Sequence, residues 1–191
     1  MATSYKVLGQ TISTSTALTI TNYIGNGTTT VTGTVGSTSG YSVGDILTIT
    51  SAAGTEQTKL NGIWTIASIP GGGTTFTFVV TTAVVSGTLT TGLGATTRSG
   101  LVDLYTVPSV TSTVCSTLVI CNQGVSTNFR VAVRPAGAAL AVQHYIVFDN
   151  FVNQFDSVFL TLGISLATTD IITVIAGTSN VSFSLFGSEL T

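Results

Sequence analysis

The sequence predicts an all-β chain: an antiparallel β-sandwich, jelly-roll or Ig-like, with a second small β domain inserted after its first strand. Three observations carry that expectation. The composition is rich in Thr, Val, Ile and Ser, with 21 Gly and only 3 Pro, and branched side chains suit a pleated sheet while glycine supplies turns. Short runs of alternating apolar and polar residues recur, with turn signals at a spacing of about 8–12 residues. The one Ala-rich run, 136–142, is too short to be stable as an isolated helix.

In chain order, strands are expected over 4–10, 17–24, 29–35, 45–51, 62–69 and 74–81. The turns among them are glycine-rich: Gly25-Asn26-Gly27, the stretch 36–40, and Gly71-Gly72-Gly73, where left-handed backbone is free of a Cβ penalty. After Gly92-Leu93-Gly94 come strands over 101–107, 114–122, 127–134, 142–149, 158–162, 171–176 and 181–186. Asp45 and Asp170 each stand just before an apolar run, the position where a carboxylate accepts backbone N–H groups at a strand entry. Composition divides the chain as well. Residues 17–97 hold only Asp45, Glu56 and Lys59 as charges and two of the nine Phe, which implies two cores: a sandwich of 1–16 plus 98–191, and an inserted Thr/Gly-rich module of 17–97.

Charge is the outlying property. Only 6% of residues are Asp, Glu, Lys or Arg, against about 25% in an ordinary soluble domain, and the mean hydropathy is +0.59. Monomers rely on interspersed charge to stay apart, whereas a subunit covered by neighbours in a permanent assembly does not. With five Lys and Arg and a net charge of -2, no nucleic-acid partner is expected, because phosphate binding needs clustered cations. No stretch approaches the roughly 20 apolar residues of a membrane-spanning helix. Met1-Ala2-Thr3-Ser4-Tyr5-Lys6 lacks the basic-then-apolar order of a secretory leader, which argues against a bacterial surface or adhesion protein.

Residues able to do chemistry are few. Cys115 and Cys121 fall on one expected strand about 20 Å apart, too far for a disulfide; an even spacing puts both on one face as free thiols. A single His and no CxxC pair argue against a zinc site. His144, the only imidazole, sits in an apolar alternating run with no GxSxG elbow elsewhere. Asp149 and Asp156 read as turn carboxylates bracketing a connection, and the glycine runs lack phosphate-loop context. No catalytic residue, cofactor or metal ligand is therefore assigned. Arg130 and Arg134 stand apart: four residues along a strand places them on one face, about 13 Å apart. They are expected to meet carboxylates across a subunit interface, with Asp156, Asp170 and Glu189 as candidates.

The joined phrases Tyr5-Lys6-Val7-Leu8-Gly9-Gln10, Leu104-Tyr105-Thr106-Val107-Pro108, Arg130-Val131-Ala132-Val133-Arg134-Pro135 and Ser182-Phe183-Ser184-Leu185-Phe186-Gly187 resemble the small β-sandwich virion proteins of marine and cyanobacterial tailed phages. In those proteins the first strand runs almost directly into the Leu-Tyr-Thr-Val-Pro segment. Within 17–97, Tyr41-Ser42-Val43-Gly44-Asp45 and Asn61-Gly62-Ile63-Trp64-Thr65-Ile66 are similar to small β modules of phage fibres and appendages. The resemblance implies a non-enzymatic virion structural protein of the capsid decoration, neck or tail. Such a protein acts as a symmetric homo-oligomer, a trimer or larger ring, and binds other virion proteins. The alternative is a receptor- or carbohydrate-binding tail-fibre protein, with Trp64, Tyr23 and Tyr41 of the inserted module meeting a host-surface glycan.

Overall fold

The computed structural model describes residues 3–191; Met1 and Ala2, included in the expected sandwich, lie outside the described residues. The chain opens with β1 (Thr3–Ile12). It then passes through β2 (Ser15–Leu18), β3 (Ile20–Gly25), β4 (Thr30–Val35), β5 (Ile46–Thr50), β6 (Gly62–Ser68), β7 (Thr75–Val79), β8 (Gly87–Leu89) and β9 (Ala95–Ser99). It continues through β10 (Val102–Thr106), β11 (Ser112–Asn122), β12 (Thr127–Arg134), β13 (Tyr145–Val152), β14 (Ser157–Leu166), β15 (Ile171–Ala176) and β16 (Val181–Leu190). These strands fall into two compact units, Met1–Thr14 with Leu101–Thr191, and Ser15–Gly100.

The first unit is an eight-stranded sandwich of two sheets, ordered β1-β16-β11-β14 and β10-β15-β12-β13. With the insert taken out, the first strand pairs the last, β1·β16, and the pairs β10·β15, β11·β14 and β12·β13 nest inside it, all antiparallel. One long hairpin is thus rolled until β11 meets β16 and β12 meets β15. This double Greek key is a jelly roll, which separates the fold from the Ig-like alternative. The core lies between the sheets, with Leu118, Ile120, Phe183 and Leu185 of one packed against Phe129, Val131, Ile172 and Val174 of the other. Gly9 stands where β1 crosses closest to β10: a Cβ there would lie 2.1 Å from the Leu104 carbonyl oxygen.

The alternation along β11 breaks once. Pairing runs Cys115↔Gly187 and then Thr117↔Phe186, so Ser116 is an extra residue, a β-bulge that inverts the faces beyond it. Thr113 and Cys115 point inward before the bulge, and Leu118, Ile120 and Asn122 after it. The expectation that Cys115 and Cys121 share a face is therefore corrected. Cys115 is buried, its thiol pushed up to about 11 by burial, while Cys121 is partly exposed on the opposite face.

The inserted unit is a single sheet ordered β2-β9-β5-β6-β7-β4-β3-β8. Only Thr19 separates β2 from β3, yet they stand near opposite ends of that order, so the sheet curls back on itself like a barrel. Tyr23 of β3 reaches across the interior to Thr96 of β9, hydroxyl to hydroxyl at 2.6 Å. Leu47, Ile49, Ile66, Phe76 and Phe78 fill the space between. Entry and exit strands pair, Ser15 with Ser99 and Thr16 with Arg98.

Element boundaries depart from expectation in several places, β14 and β16 each running four residues past the ends expected at 162 and 186. The strand expected over 17–24 breaks at Thr19, because its halves pair different neighbours, β9 and β4. β8 and β9 were not expected: Gly87-Thr88-Leu89 and Ala95-Thr96-Thr97-Arg98-Ser99 carry almost no apolar alternation, and pairing alone makes them strands. The run 142–149 begins as a 3-10 turn, Val142–His144, before β13.

Candidate interaction surfaces

Each of the five Lys and Arg side chains is paired with a carboxylate of its own unit. Phe129 and Val131 of β12 point into the core, which turns Arg130 and Arg134 outward. Arg130, only 3% exposed, donates from Nε and Nη2 to the two oxygens of Asp149 at 2.6 and 3.0 Å. Its guanidinium also lies 4.2 Å from the centroid of the Phe148 ring. Arg134 donates from Nε to the Thr173 hydroxyl at 2.8 Å and from Nη2 to Asp103. The Thr173 hydroxyl donates in turn to Asp103 at 2.8 Å.

The carboxylates expected to meet these arginines lie elsewhere. Asp156 accepts the Ser157 N–H at 2.8 Å. Asp170 accepts the N–H groups of Ala136 and Ala167, both at 2.8 Å, and so ties two connections together. Glu189 meets Lys6 at 2.6 Å and accepts the Tyr105 hydroxyl at 2.9 Å. Those two hydrogen bonds, Lys6 first, hold its carboxyl below the usual glutamate range. Asp103 and Asp149 escaped sequence reasoning because register, not spacing, delivers them. Asp103 pairs with Thr173, whose own partner on β12 is Ala132, two residues from Arg134 on the same face, and Asp149 turns toward Arg130 at a positive φ of 52° in irregularly paired β13.

The other candidates are occupied locally. His144 lies in the 3-10 turn and its Nδ1 accepts the Ala141 N–H at 3.1 Å. Among the described residues no three His, Cys, Asp or Glu cluster to hold a metal. In the inserted unit, the buried Asp45 accepts the Ser42 N–H at 2.9 Å and pairs with Arg98, whose guanidinium stacks 4.4 Å from the Tyr41 ring centroid. The Trp64 indole N–H donates to the Leu60 carbonyl at 2.6 Å. Tyr23 is fully buried. Tyr23 is thus taken up by the unit's own packing, while Tyr41 and Trp64 pack against its core and remain partly exposed. Between β13 and β14 an open groove of about 340 Å³ is lined by Ile146, Val147, Phe159, Leu160, Leu162 and Ile164, with Thr161 as its one polar side chain.

A different surface comes from register alone. In β1-β16-β11-β14 the paired inner rows, such as Leu185–Leu118–Leu160, enter the core, so the rows between them form the outer face. β1 contributes Tyr5, Val7, Gln10 and Ile12, paired with Ser188, Phe186, Ser184 and Ser182 of β16. Those face Val114, Thr117, Val119 and Cys121 of β11. The rows end on Ser165, Thr161, Phe159 and Ser157 of β14. None of these side chains is charged. Phe159 is 71% exposed and Tyr5 64%, one at each rim. The outer face of the second sheet, by contrast, carries the Arg130–Asp149 and Arg134–Asp103 pairs.

Set against known proteins, the chain matches no family model, no curated protein and no solved structure.

Proposed function

We propose that this chain is a non-enzymatic structural subunit of a phage particle, in the capsid decoration, neck or tail, working through symmetric assembly with copies of itself and with other virion proteins. The observation that carries the assembly reading is the neutral surface: every Lys and Arg side chain is paired with a carboxylate of its own unit, and one whole sheet face has no charge. Such a face gains little from water and much from a matching neighbour. Support for the phage setting comes from the phrases around Leu104-Tyr105-Thr106-Val107-Pro108, and a jelly roll is a fold that suits shells and appendages, as analogy. The groove between β13 and β14 is lined mostly by apolar side chains, which supports a contact role. Mass spectrometry of purified particles, followed by placement of the subunit in particle density, tests the reading. The protein is expected at a fixed copy number per particle, and its absence from purified particles overturns the setting.

A further inference from the structure

We infer that the outer face of β1-β16-β11-β14 is the surface on which one copy of this chain docks onto a second, face against face across a two-fold axis. The inference rests on the assembly reading above but not on the phage setting.

Charge selects the partner. A surface without a single ionised side chain has nothing to offer nucleic acid or a charged protein, whose own charges would lose water and find no counterpart. The same chain presents a matching neutral surface, and the contact repeats no like charge across the axis. Size agrees with this. Four strands about 4.8 Å apart and four paired rows about 6.7 Å apart give a footprint of roughly 500 Å² in projection. Two copies then cover about 1,000 Å², the area at which a specific interface begins, before the relief of the side chains is added.

Relief supplies the fit. Along β16, Phe186 stands between Ser184 and Ser188, and across the sheet its row continues into Val7 and Thr117. Large rings beside small hydroxyls make knobs and hollows on one surface, and a two-fold axis sets the knob of each copy beside the hollow of the other. Sheets packed in this way lie about 10 Å apart. The hydroxyls of Ser182, Ser184 and Ser188 can pair across the contact with partners of the same kind.

Sedimentation and native mass spectrometry of the full chain read the association. The wild-type chain is expected as an even-numbered oligomer, and the V119K/S184K double variant is expected to associate about 100-fold more weakly, since it leaves uncompensated charge in the contact. Both side chains point away from the core, and since Val119 and Ser184 are cross-strand partners whose lysines repel, only a small fall in melting temperature is expected, with the subunit still folded. T106K, which places a charge on exposed Thr106 of β10 in the other sheet, is the control and keeps the wild-type association. A second readout needs no variant: alkylation of Cys121, which lies on this face, is expected to slow as wild-type concentration rises through the association range. A wild-type monomer at about 0.1 mM, an odd-numbered oligomer, or Cys121 alkylation that ignores concentration overturns the inference. Particle composition is read separately. A dimer absent from particles removes the phage setting and leaves this contact, whereas a monomer present in particles removes this contact alone.

Discussion

Gly9 and the two cysteines show how tightly single positions are set. Gly9 has no room for a side chain, since the atom a Cβ would strike at 2.1 Å is a backbone carbonyl rather than a movable side-chain tip. Gly9→Ala is expected to destabilise the sandwich by about 1–3 kcal/mol through overpacking; denaturant unfolding of the variant checks it, and an unchanged midpoint would contradict the close approach. Cys115 and Cys121 are separated in behaviour by the bulge between them. With its thiol pushed up to about 11 by burial and no exposure, Cys115 is expected to ignore a thiol reagent at pH 8, while Cys121 reacts. Two fast-reacting thiols in the native protein would mean that the strand does not invert at Ser116.

At the scale of elements, the arginines of β12 act within the subunit. Removing Asp149 leaves the guanidinium of Arg130 buried without its carboxylate, so Asp149→Ala is expected to cost about 3–5 kcal/mol. Converting both partners, as R130M/D149A, is expected to cost less than the single change, because no unpaired charge remains. A double-mutant cycle measures this, and a single-variant loss under 1 kcal/mol would reduce the pair to a surface contact. The sequence made the strands of the sandwich legible wherever apolar alternation is strong: 127–134 and 171–176 coincide with β12 and β15. Three things were illegible for physical reasons. The bulge at Ser116 leaves no mark in composition. β8 and β9 take their strand form from neighbours rather than from their own hydroxyl-rich residues. The partners of Arg130 and Arg134 depend on which strands lie side by side, and a nested roll brings Asp103 of β10 to Arg134 of β12 across β15. The uncharged face was foreshadowed by the 6% charge content, but only register could gather the neutral residues onto one side.

For the molecule as a whole, an assembly whose cations are already paired with carboxylates inside each subunit is expected to be nearly indifferent to sodium chloride and strengthened by sulfate. A dissociation constant that rises steeply between low and high sodium chloride would show that ion pairs cross the contact. Alkali is expected to unfold both units. Burial pushes Tyr105 of the sandwich and Tyr23 of the insert up to about 12, against an ordinary phenol value of about 10. The folded state therefore holds the phenolic protons more tightly than the unfolded chain. The stability this contributes is complete below pH 10 and is lost as pH rises through about 12, which a pH series of thermal melts reads directly.

The pairing of β2 with β9 also bears on the order in which the protein forms. The sandwich closes its first strand on its last, so most of the chain must be present before β1 finds β16, and such distant pairings form slowly. The inserted unit needs only Ser15–Gly100. Once it has formed, Ser15 sits beside Ser99, and the tether between β1 and β10 shrinks from the whole insert to a few residues. Roughly four halvings of the loop spare about 2 kcal/mol of closure entropy. The insert would then be the clasp that holds open ends together while the roll assembles. Trp64 is the chain's single tryptophan and belongs to the insert, so in refolding its fluorescence is expected to settle before Cys115 becomes protected from alkylation. The reverse order would mean that the roll closes without that help.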